Sequence, residues 1–454
     1  MTSGSILTKL LLFTLPLMFS SILQLLFNAA DIVVVGRFCG EESLAAVGST
    51  SSLINLLTNL FIGLSVGTNV LTAHFFGSKE NDKLHDAIHT SIAISLISGI
   101  LLTIVGVCFT GTILEWMATP PEVLPLATLY LRIYFLGMTA MMIYNFGSAL
   151  LRSVGDTKRP LYYLMTAGII NVILNMIFVI VLDMDVAGVG LATVISQCIS
   201  AFMVVRCMMR EQGGIRLIPK KLRIYKEKLI QIVCVGLPAG FQGAVFSLSN
   251  VVIQSAINGF GNIVVAGNSA ASNIENFVYV SMNTFYQACI SFTSQNVGAR
   301  RYDRVNKILL ASVGCAVVSG LVLGNLAYVF GPALLGLYTT SSIVIHKGLT
   351  RLSIISTTYA LCGVMDTMVG SLRGLGYSVL PMIVSLVGAC GLRLLWIATI
   401  FQLPQFHTPQ VIYYSYPLTW TITALIHIIC YLVIWKKLKK RLAVEEARRK
   451  RETA

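Results

Sequence analysis

The chain has 454 residues, of which 56% are hydrophobic and only 11% are charged, and its formal net charge at pH 7 is +14. Soluble globular domains carry about 25% charged residues, so this composition excludes a soluble globular protein. It indicates a protein whose surface faces lipid.

Apolar runs long enough to cross about 30 Å of hydrocarbon recur along the whole chain. The first run is too long for a signal peptide and lacks a cleavage-like small-residue site, so we expect it to be retained as a helix. The sequence predicts an all-α polytopic membrane protein with twelve transmembrane helices. Their approximate positions are 10–35, 44–75, 88–112, 124–150, 160–182, 187–209, 229–257, 263–294, 307–337, 347–371, 381–402 and 411–435.

The placement of Lys and Arg predicts the orientation of these helices. If both termini are cytoplasmic, the inner loops and tails hold 28 of the 33 basic residues, as the positive-inside rule requires. We therefore expect a multi-pass protein of the cell membrane with both termini in the cytoplasm, and we expect no nucleic-acid binding. The five basic residues elsewhere are Arg37, Arg132, Lys347, Arg351 and Arg393.

The second half of the chain repeats the first at a nearly constant offset. Each half has six spans, an even number, so both halves enter the membrane from the same side as parallel repeats. We expect an N-terminal six-helix lobe (1–210), a cytoplasmic linker (211–228), a C-terminal six-helix lobe (229–435) and a basic tail (436–454). The tail either lies against anionic lipid or is a solvated stop signal. The matched pairs include Pro16 and Pro238, Asn28 and Asn250, Gly77 and Gly298, Arg152 and Arg373, and Pro160 and Pro381.

Three of the nineteen acidic residues lie well inside predicted spans: Asp31, Glu275 and Asp366. A carboxylate at the centre of a membrane helix costs roughly 2.5–3.5 kcal/mol, so each of them needs a partner or a function. Asp31 follows Asn28 by three positions on one helical face, and a polar face inside a bilayer must look into protein or water. The repeat partner of Asp31 lies near the apolar Ile253, so this acid belongs to the N-terminal half alone.

Polar side chains on spans five and six complete a candidate ion site with Asp31. Asn171 and Asn175 are four residues apart on one helical face, and Thr193 supplies a hydroxyl. These groups could form a cation pocket, with Na⁺ the only metal expected, or a proton site with hydrogen-bond partners. Hydrogen bonding between helices is the alternative for the two amides and the hydroxyl. A permanently protonated Asp31 bonded to Asn28 is the alternative for the acid.

Arg393 in span eleven is an intramembrane cation that needs a partner. We expect Glu275 or Asp366 to pair with it, which leaves at most one of these acids free. The helical face of Glu275 also carries aromatic rings and a polarizable thioether. Such side chains suit a large organic cation in a substrate cavity. The lining that they form consists of Tyr279, Met282 and Tyr286.

Motifs typical of enzymes are missing from the sequence. The six histidines form no H-E-x-x-H pattern, the ten cysteines form no C-x-x-C pair, and there is no G-x-x-x-x-G-K-[ST] loop for ATP phosphates. We expect a carrier that is not an enzyme, has no prosthetic cofactor and draws its driving force from an ion gradient.

The chain resembles the multidrug and toxic compound extrusion (MATE) family over essentially its whole length. The resemblance rests on "LPLMFSSILQLLFNAADIVVVGRFCG", on the loop glycines Gly77 and Gly298, and on "LLRSVGDTKRP" with "SLRGLGYSVLP". It implies two six-helix lobes around a V-shaped cavity and export of small organic cations in exchange for H⁺ or Na⁺. We expect the carrier to act as a monomer in contact with membrane lipids.

The resemblance also implies roles for individual residues. Asp31 and Asn171 match an acid and an amide that one branch of the family uses for ion coupling, and Thr193 matches a hydroxyl there. Asn175 stands where that branch has a second acid. Asp366 resembles an acid of another branch, displaced by about one turn. The alternative function is a lipid or lipid-linked oligosaccharide flippase of the same wider superfamily.

Overall fold

The fold was obtained as a computed structural model that describes residues 1–117 and 119–452, except for the side chains of Ser49, Ser52 and residues 445–452. The last two residues of the predicted tail, 453–454, lie outside the described residues. The described chain is mostly helical and contains no strand, which confirms the predicted fold class. The helices are α1 (Ile6–Phe38), α2 (Glu41–Ser78), α3 (Asn81–Trp116), α4 (Leu124–Leu136), α5 (Met138–Ser153), α6 (Lys158–Met176), α7 (Asp185–Arg210), α8 (Lys226–Asn258), α9 (Asn262–Gly298), α10 (Tyr302–Val329), α11 (Gly331–Gly336), α12 (Ser342–Ile354), α13 (Tyr359–Gly374), α14 (Val379–Ser385), α15 (Leu392–Ala398) and α16 (Pro409–Glu452).

Each of the twelve predicted spans corresponds to a helix or to a broken helix. Within the described residues, ten helical segments are long and apolar enough to cross a membrane, and α4 with α5, bent by 47°, makes an eleventh. The twelfth, α9, has 37 residues but does not reach that apolarity. Polar residues recur along this helix well before its C-terminus, among them Asn268, Asn273 and Glu275.

Two spans contain a turn of π-helix. One follows α6 at Ile177–Val181, and the other joins α14 to α15 at Leu386–Gly391. A π-helical turn accommodates an additional residue and re-aims the side chains that follow it. The second of these turns comes directly before Arg393, an intramembrane cation of the predicted C-terminal lobe.

The chain forms two compact units. The first consists of Met1–Val251, Gln287–Ala311 and Arg373–Val379, and the second of Val252–Tyr286, Ser312–Leu372 and Leu380–Ala454. The first unit therefore contains the predicted N-terminal lobe, the linker and most of α8, together with the segments around the α9–α10 and α13–α14 junctions.

The predicted linker, 211–228, is fixed to the first unit. Leu217 is buried in a cluster of apolar side chains from α2, α3, α5 and α7. The backbone N–H of Ile218 donates to Nε2 of His89 at 3.0 Å, and the N–H of Tyr225 donates to Oγ1 of Thr90 at 3.1 Å. These bonds tie an irregular segment to a membrane helix at two points.

The two loop glycines mark a close crossing of α2 and α9 inside the first unit. A Cβ added to Gly77 would meet the backbone oxygen of Gln295, and one added to Gly298 would meet that of His74. The repeat pairs Gly77 with Gly298 and His74 with Gln295, so the two contacts are reciprocal. Only glycine permits an approach this close, and this explains why both copies of the motif carry it.

Candidate ion-coupling site

The side chain of Asp31 on α1 accepts a hydrogen bond from Nδ2 of Asn175 on α6. The same amide nitrogen donates to Oδ1 of Asn171, 3.3 Å away. Nδ2 of Asn171 in turn lies 3.4 Å from Oγ1 of Thr193 on α7, which donates to the backbone oxygen of Val189. The structure thus joins four of the predicted residues, Asp31, Asn175, Asn171 and Thr193, in one hydrogen-bonded series that we call the Asp31 cluster.

Helix periodicity explains this arrangement. Asn171 and Asn175 are separated by one turn of α6, so both project from the same face. Both amides are buried, at 4% and 0% exposure, whereas Asp31 is half-buried. The cluster therefore extends from two buried amides to a partly exposed carboxylate.

One atom of the cluster lacks a hydrogen bond. Oδ1 of Asn175 is buried and has no hydrogen-bond partner in the described part of the chain. Leaving such an atom unsatisfied costs about 1–3 kcal/mol. An amide oxygen beside a carboxylate is the oxygen-rich donor set that hard cations prefer, and a protonated carboxyl would offer the same atom a donor.

Asn28 is placed differently from the Asp31 cluster. It is exposed, one turn before Asp31 on α1, and is not one of the four side chains that the series joins. Two tyrosines that were not predicted from the sequence lie near Asp31. Tyr130 and Tyr134 on α4 are near enough to interact electrostatically with Asp31, and their ring centroids are 5.9 Å apart. Their i, i+4 spacing predicts that both rings lie on one face of α4, and this is the only sign of them in the sequence.

In the second unit, Glu275 on α9 pairs with Arg351 on α12. Nη2 of Arg351 lies 2.7 Å from Oε2 of Glu275, and its Nε lies 3.1 Å from Oε1. Nη1 of Arg351 donates to Oδ1 of Asn268 at 2.6 Å. All three nitrogens of the Arg351 guanidinium thus donate hydrogen bonds, and Glu275 is 2% exposed.

This pair corrects the expectation that Glu275 could serve as the partner of Arg393. Arg351 is one of the five basic residues outside the predicted inner loops, and the sequence gives no sign that it pairs with Glu275. Because α12 already begins at Ser342, Arg351 falls in its third turn, where α12 packs beside α9.

Arg393 on α15 has a different environment. It is 3% exposed, its Nη2 donates to Oγ1 of Thr419 at 3.1 Å, and its guanidinium carbon lies 3.9 Å from the centroid of the Tyr416 ring. Its Nε is buried without a hydrogen-bond partner among the described residues. Asp366 is half-buried and lies near Tyr279.

The predicted lining beside Glu275 divides into exposed and buried positions. Tyr279 is 36% exposed, and its hydroxyl accepts a hydrogen bond from Asn283 at 3.4 Å; Tyr286 is half-buried. Met282 is 1% exposed and packs against Gly320 and Gly363. The two tyrosines are therefore accessible, whereas Met282 fills a gap between helices.

Each half of the chain has a hydrogen bond from a buried side chain to a threonine hydroxyl. In the first half, Asn171 donates to Thr193, and in the second half Arg393 donates to Thr419. The repeat offset of 221 pairs Asn171 with position 392, next to Arg393, and the π-helical turn at Leu386–Gly391 lies directly before it. The same offset pairs Thr193 with Tyr414 and not with Thr419, so the two hydrogen bonds involve neighbouring rather than equivalent positions of the repeat.

Comparison with known proteins identifies the same repeat. The model of the MatE family matches residues 16–177 and again residues 238–398. A probable multidrug resistance protein of Bacillus subtilis, YoeA, is 27% identical over 94% of this chain and 93% of its own length. The multidrug export protein MepA of Staphylococcus saprophyticus is 21% identical over 82% of each chain.

Solved structures share the fold. The outward-facing conformation of a multidrug resistance MATE family transporter matches with a TM-score of 0.90, at 22% identity, over 96% of this chain and 97% of the other. A structure of a MOP superfamily transporter from Pyrococcus furiosus, whose description says that the reverse polarity of its binding pocket suggests a different function, matches with the same score, identity and coverage.

Proposed function

The chain belongs to the MatE family of membrane transporters, and we propose that it is an antiporter that exports organic cations in exchange for H⁺ or Na⁺. It is a multi-pass membrane transporter and not an enzyme, and the relatives named for multidrug resistance and export support multidrug efflux as its activity. The distribution of 28 of 33 basic residues supports cytoplasmic termini.

The main support for ion exchange is the position of Oδ1 of Asn175. This atom has no hydrogen-bond partner among the described residues, and its side chain is bonded to the carboxylate of Asp31. A proton on Asp31 supplies the donor that this oxygen lacks, and a Na⁺ ion supplies a shared ligand for both groups. Either ion neutralises the only acid in the cluster. The site is therefore suited to bind one monovalent cation and release it again.

Ion binding can be coupled to transport because Asp31 and Asn175 lie on two different helices, α1 and α6. The ionised carboxylate of Asp31 holds Asn175 through a charge-assisted hydrogen bond, which is about twice as strong as a neutral one. Neutralising Asp31 weakens that bond and changes the preferred packing of α1 on α6. An ion that binds one arrangement more tightly shifts the population towards it, and by linkage it changes the affinity for the exported cation.

The substrate is bound at least in part by Tyr279 and Asp366 of the second unit. These two side chains lie near each other, and both are accessible. A tyrosine ring and a carboxylate attract an organic cation by cation–π and ionic interactions. Glu275 is unavailable for this role because Arg351 already holds it.

The proposal is tested in proteoliposomes by the efflux of a fluorescent organic cation under an imposed pH gradient and, separately, a Na⁺ gradient. Wild type is compared with Asp31→Asn and with Glu115→Gln, which removes the same charge from an exposed position at the end of α3. Acceleration by one gradient in wild type and Glu115→Gln, and its loss in Asp31→Asn, is expected. Acceleration that persists in Asp31→Asn refutes the role of this acid.

A lipid flippase is the second candidate, and the observation that favours it is Arg393. The Nε atom of this buried guanidinium has no hydrogen-bond partner in the part of the chain that the structure describes, and it would suit the phosphate of a lipid headgroup. The same proteoliposomes distinguish the two functions: reorientation of a fluorescent anionic lipid, with no gradient-driven movement of the organic cation, would identify the flippase.

A further inference from the structure

A basic cavity lies where α6 begins and α7 ends, at the side of the membrane that carries most of the Lys and Arg. Its volume is about 400 Å³. Three arginines and one glutamate contribute its charged lining: Arg159, Arg206, Arg210 and Glu211. None of these residues belongs to the Asp31 cluster.

Arg159 is neutralised by its neighbours. It forms ion pairs with both Asp156 and Glu211, and its Nη1 also contacts Sγ of Cys207 at 3.0 Å. Asp156 in addition accepts the backbone N–H groups of Lys158 and Arg159 at the start of α6. This network fixes one wall of the cavity and uses both acids near it.

Arg206 and Arg210 remain as uncompensated cations. Both side chains are exposed, and neither forms an ion pair with an acid among the described residues. They are four residues apart on α7, where like charges repel each other. A ligand with negative charge between them would relieve this repulsion and would be held by two guanidinium groups.

The surface next to these arginines is apolar. On α7, Phe202 and Met209 lie on the same helical face as Arg206 and are 60% and 36% exposed. On α6, Tyr162 and Ile169 are 53% and 52% exposed. Because α6 and α7 are membrane spans, such side chains face acyl chains, so the ligand at the cavity must combine a negative headgroup with a hydrocarbon tail.

We propose that this cavity is a binding site for an anionic phospholipid. Its phosphate lies between Arg206 and Arg210, which can bind phosphate oxygens in pairs. Its acyl chains run along the exposed apolar residues of α6 and α7. Basic pockets between membrane helices on the cytoplasmic side are typical sites for such headgroups, and this role does not depend on the transport mechanism.

The test is native mass spectrometry of the full-length, delipidated protein in detergent, titrated with phosphatidylglycerol, phosphatidylcholine or inorganic phosphate. We expect one phosphatidylglycerol to bind more tightly than phosphatidylcholine. The double variant Arg206→Gln/Arg210→Gln should weaken that binding about thirty-fold. The matched variant Lys220→Gln/Lys226→Gln, which loses the same charge from exposed positions of the nearby linker and α8, should bind as wild type does.

Three results would overturn the proposal. The first is an equal loss of binding in both double variants, which would mean a general effect of charge. The second is equal affinity for the two lipids. The third is displacement of phosphatidylglycerol by millimolar inorganic phosphate, which would make the site one for free phosphate. If the double variant is not monodisperse, Arg206→Gln alone is used, with Lys220→Gln as its control, because both residues are exposed.

Discussion

Asn175 donates one hydrogen bond to Asp31 and one to Asn171, while its own carbonyl oxygen is buried and has no hydrogen-bond partner among the described residues. The residue therefore connects the one acid of the cluster to its interior and still has capacity for a ligand. Because Asp31 lies on α1 and Asn175 on α6, any ion that occupies this place acts on the contact between two membrane helices.

Two substitutions of Asn175 test the two roles of its amide, which are to donate a hydrogen bond to Asp31 and to offer an oxygen to an ion. Asn175→Ala removes the donor to Asp31 and the free oxygen, and we expect the ion-driven part of dye efflux to fall at least tenfold. Asn175→Asp retains an oxygen ligand and adds a charge, so it should increase thermal stabilisation by Na⁺, since hard cations favour carboxylates. The measurement is the melting temperature in detergent across a Na⁺ titration.

The control for added charge is Asn145→Asp. Asn145 is a half-buried amide on α5 that donates to the backbone oxygen of Met141 and takes no part in the Asp31 cluster. An equal Na⁺ response in Asn145→Asp and Asn175→Asp would contradict a specific role of position 175.

The pair formed by Glu275 and Arg351 should be strongly coupled in stability. Removing one partner leaves a buried charge uncompensated and costs about 3–5 kcal/mol, so Arg351→Met and Glu275→Met should each be strongly destabilised. The double variant should recover a large part of that loss, as a double-mutant cycle of unfolding in detergent would show. Glu80→Gln, which breaks the exposed pair with Lys83, should leave the free energy of unfolding nearly unchanged, because solvent-exposed ion pairs contribute little to stability. Additive effects at positions 275 and 351 would refute this pairing.

The crossing of α2 and α9 should not tolerate a methyl group. Gly77→Ala and Gly298→Ala place a Cβ against the backbone of the facing helix, and overpacking of this kind costs about 1–3 kcal/mol. Gly314→Ala on α10, where nothing lies within 4 Å of the added atom, should be neutral or stabilising, because alanine favours a helix over glycine by about 1 kcal/mol. Equal melting temperatures for all three variants would contradict the close crossing.

The sequence predicts the helices and their repeat because both depend on local patterns. Apolar length identifies the spans, and the two matches of the family at 16–177 and 238–398 follow the same offset as Pro16 and Pro238. The i, i+4 spacing of Asn171 and Asn175 places them on one face of α6, and the structure brings that face to Asp31.

The partner of an intramembrane charge is harder to predict. The pairing of Glu275 with Arg351 depends on how α12 packs beside α9, and no periodic signal in either helix contains that information. The same holds for Tyr130 and Tyr134, which approach Asp31 from α4. The bonds of Ile218 and Tyr225 that fix the linker to α3 are likewise tertiary contacts.

The most direct test of the account is ion movement driven by the substrate. In proteoliposomes without any ion gradient, a gradient of a fluorescent organic cation is imposed, and luminal pH and the movement of ²²Na⁺ are recorded. We predict that one of these two ions moves against the dye in wild type and in Glu115→Gln, and that Asp31→Asn moves neither. Ion movement of wild-type size in folded Asp31→Asn would contradict the claim that this carboxylate couples the ion to export.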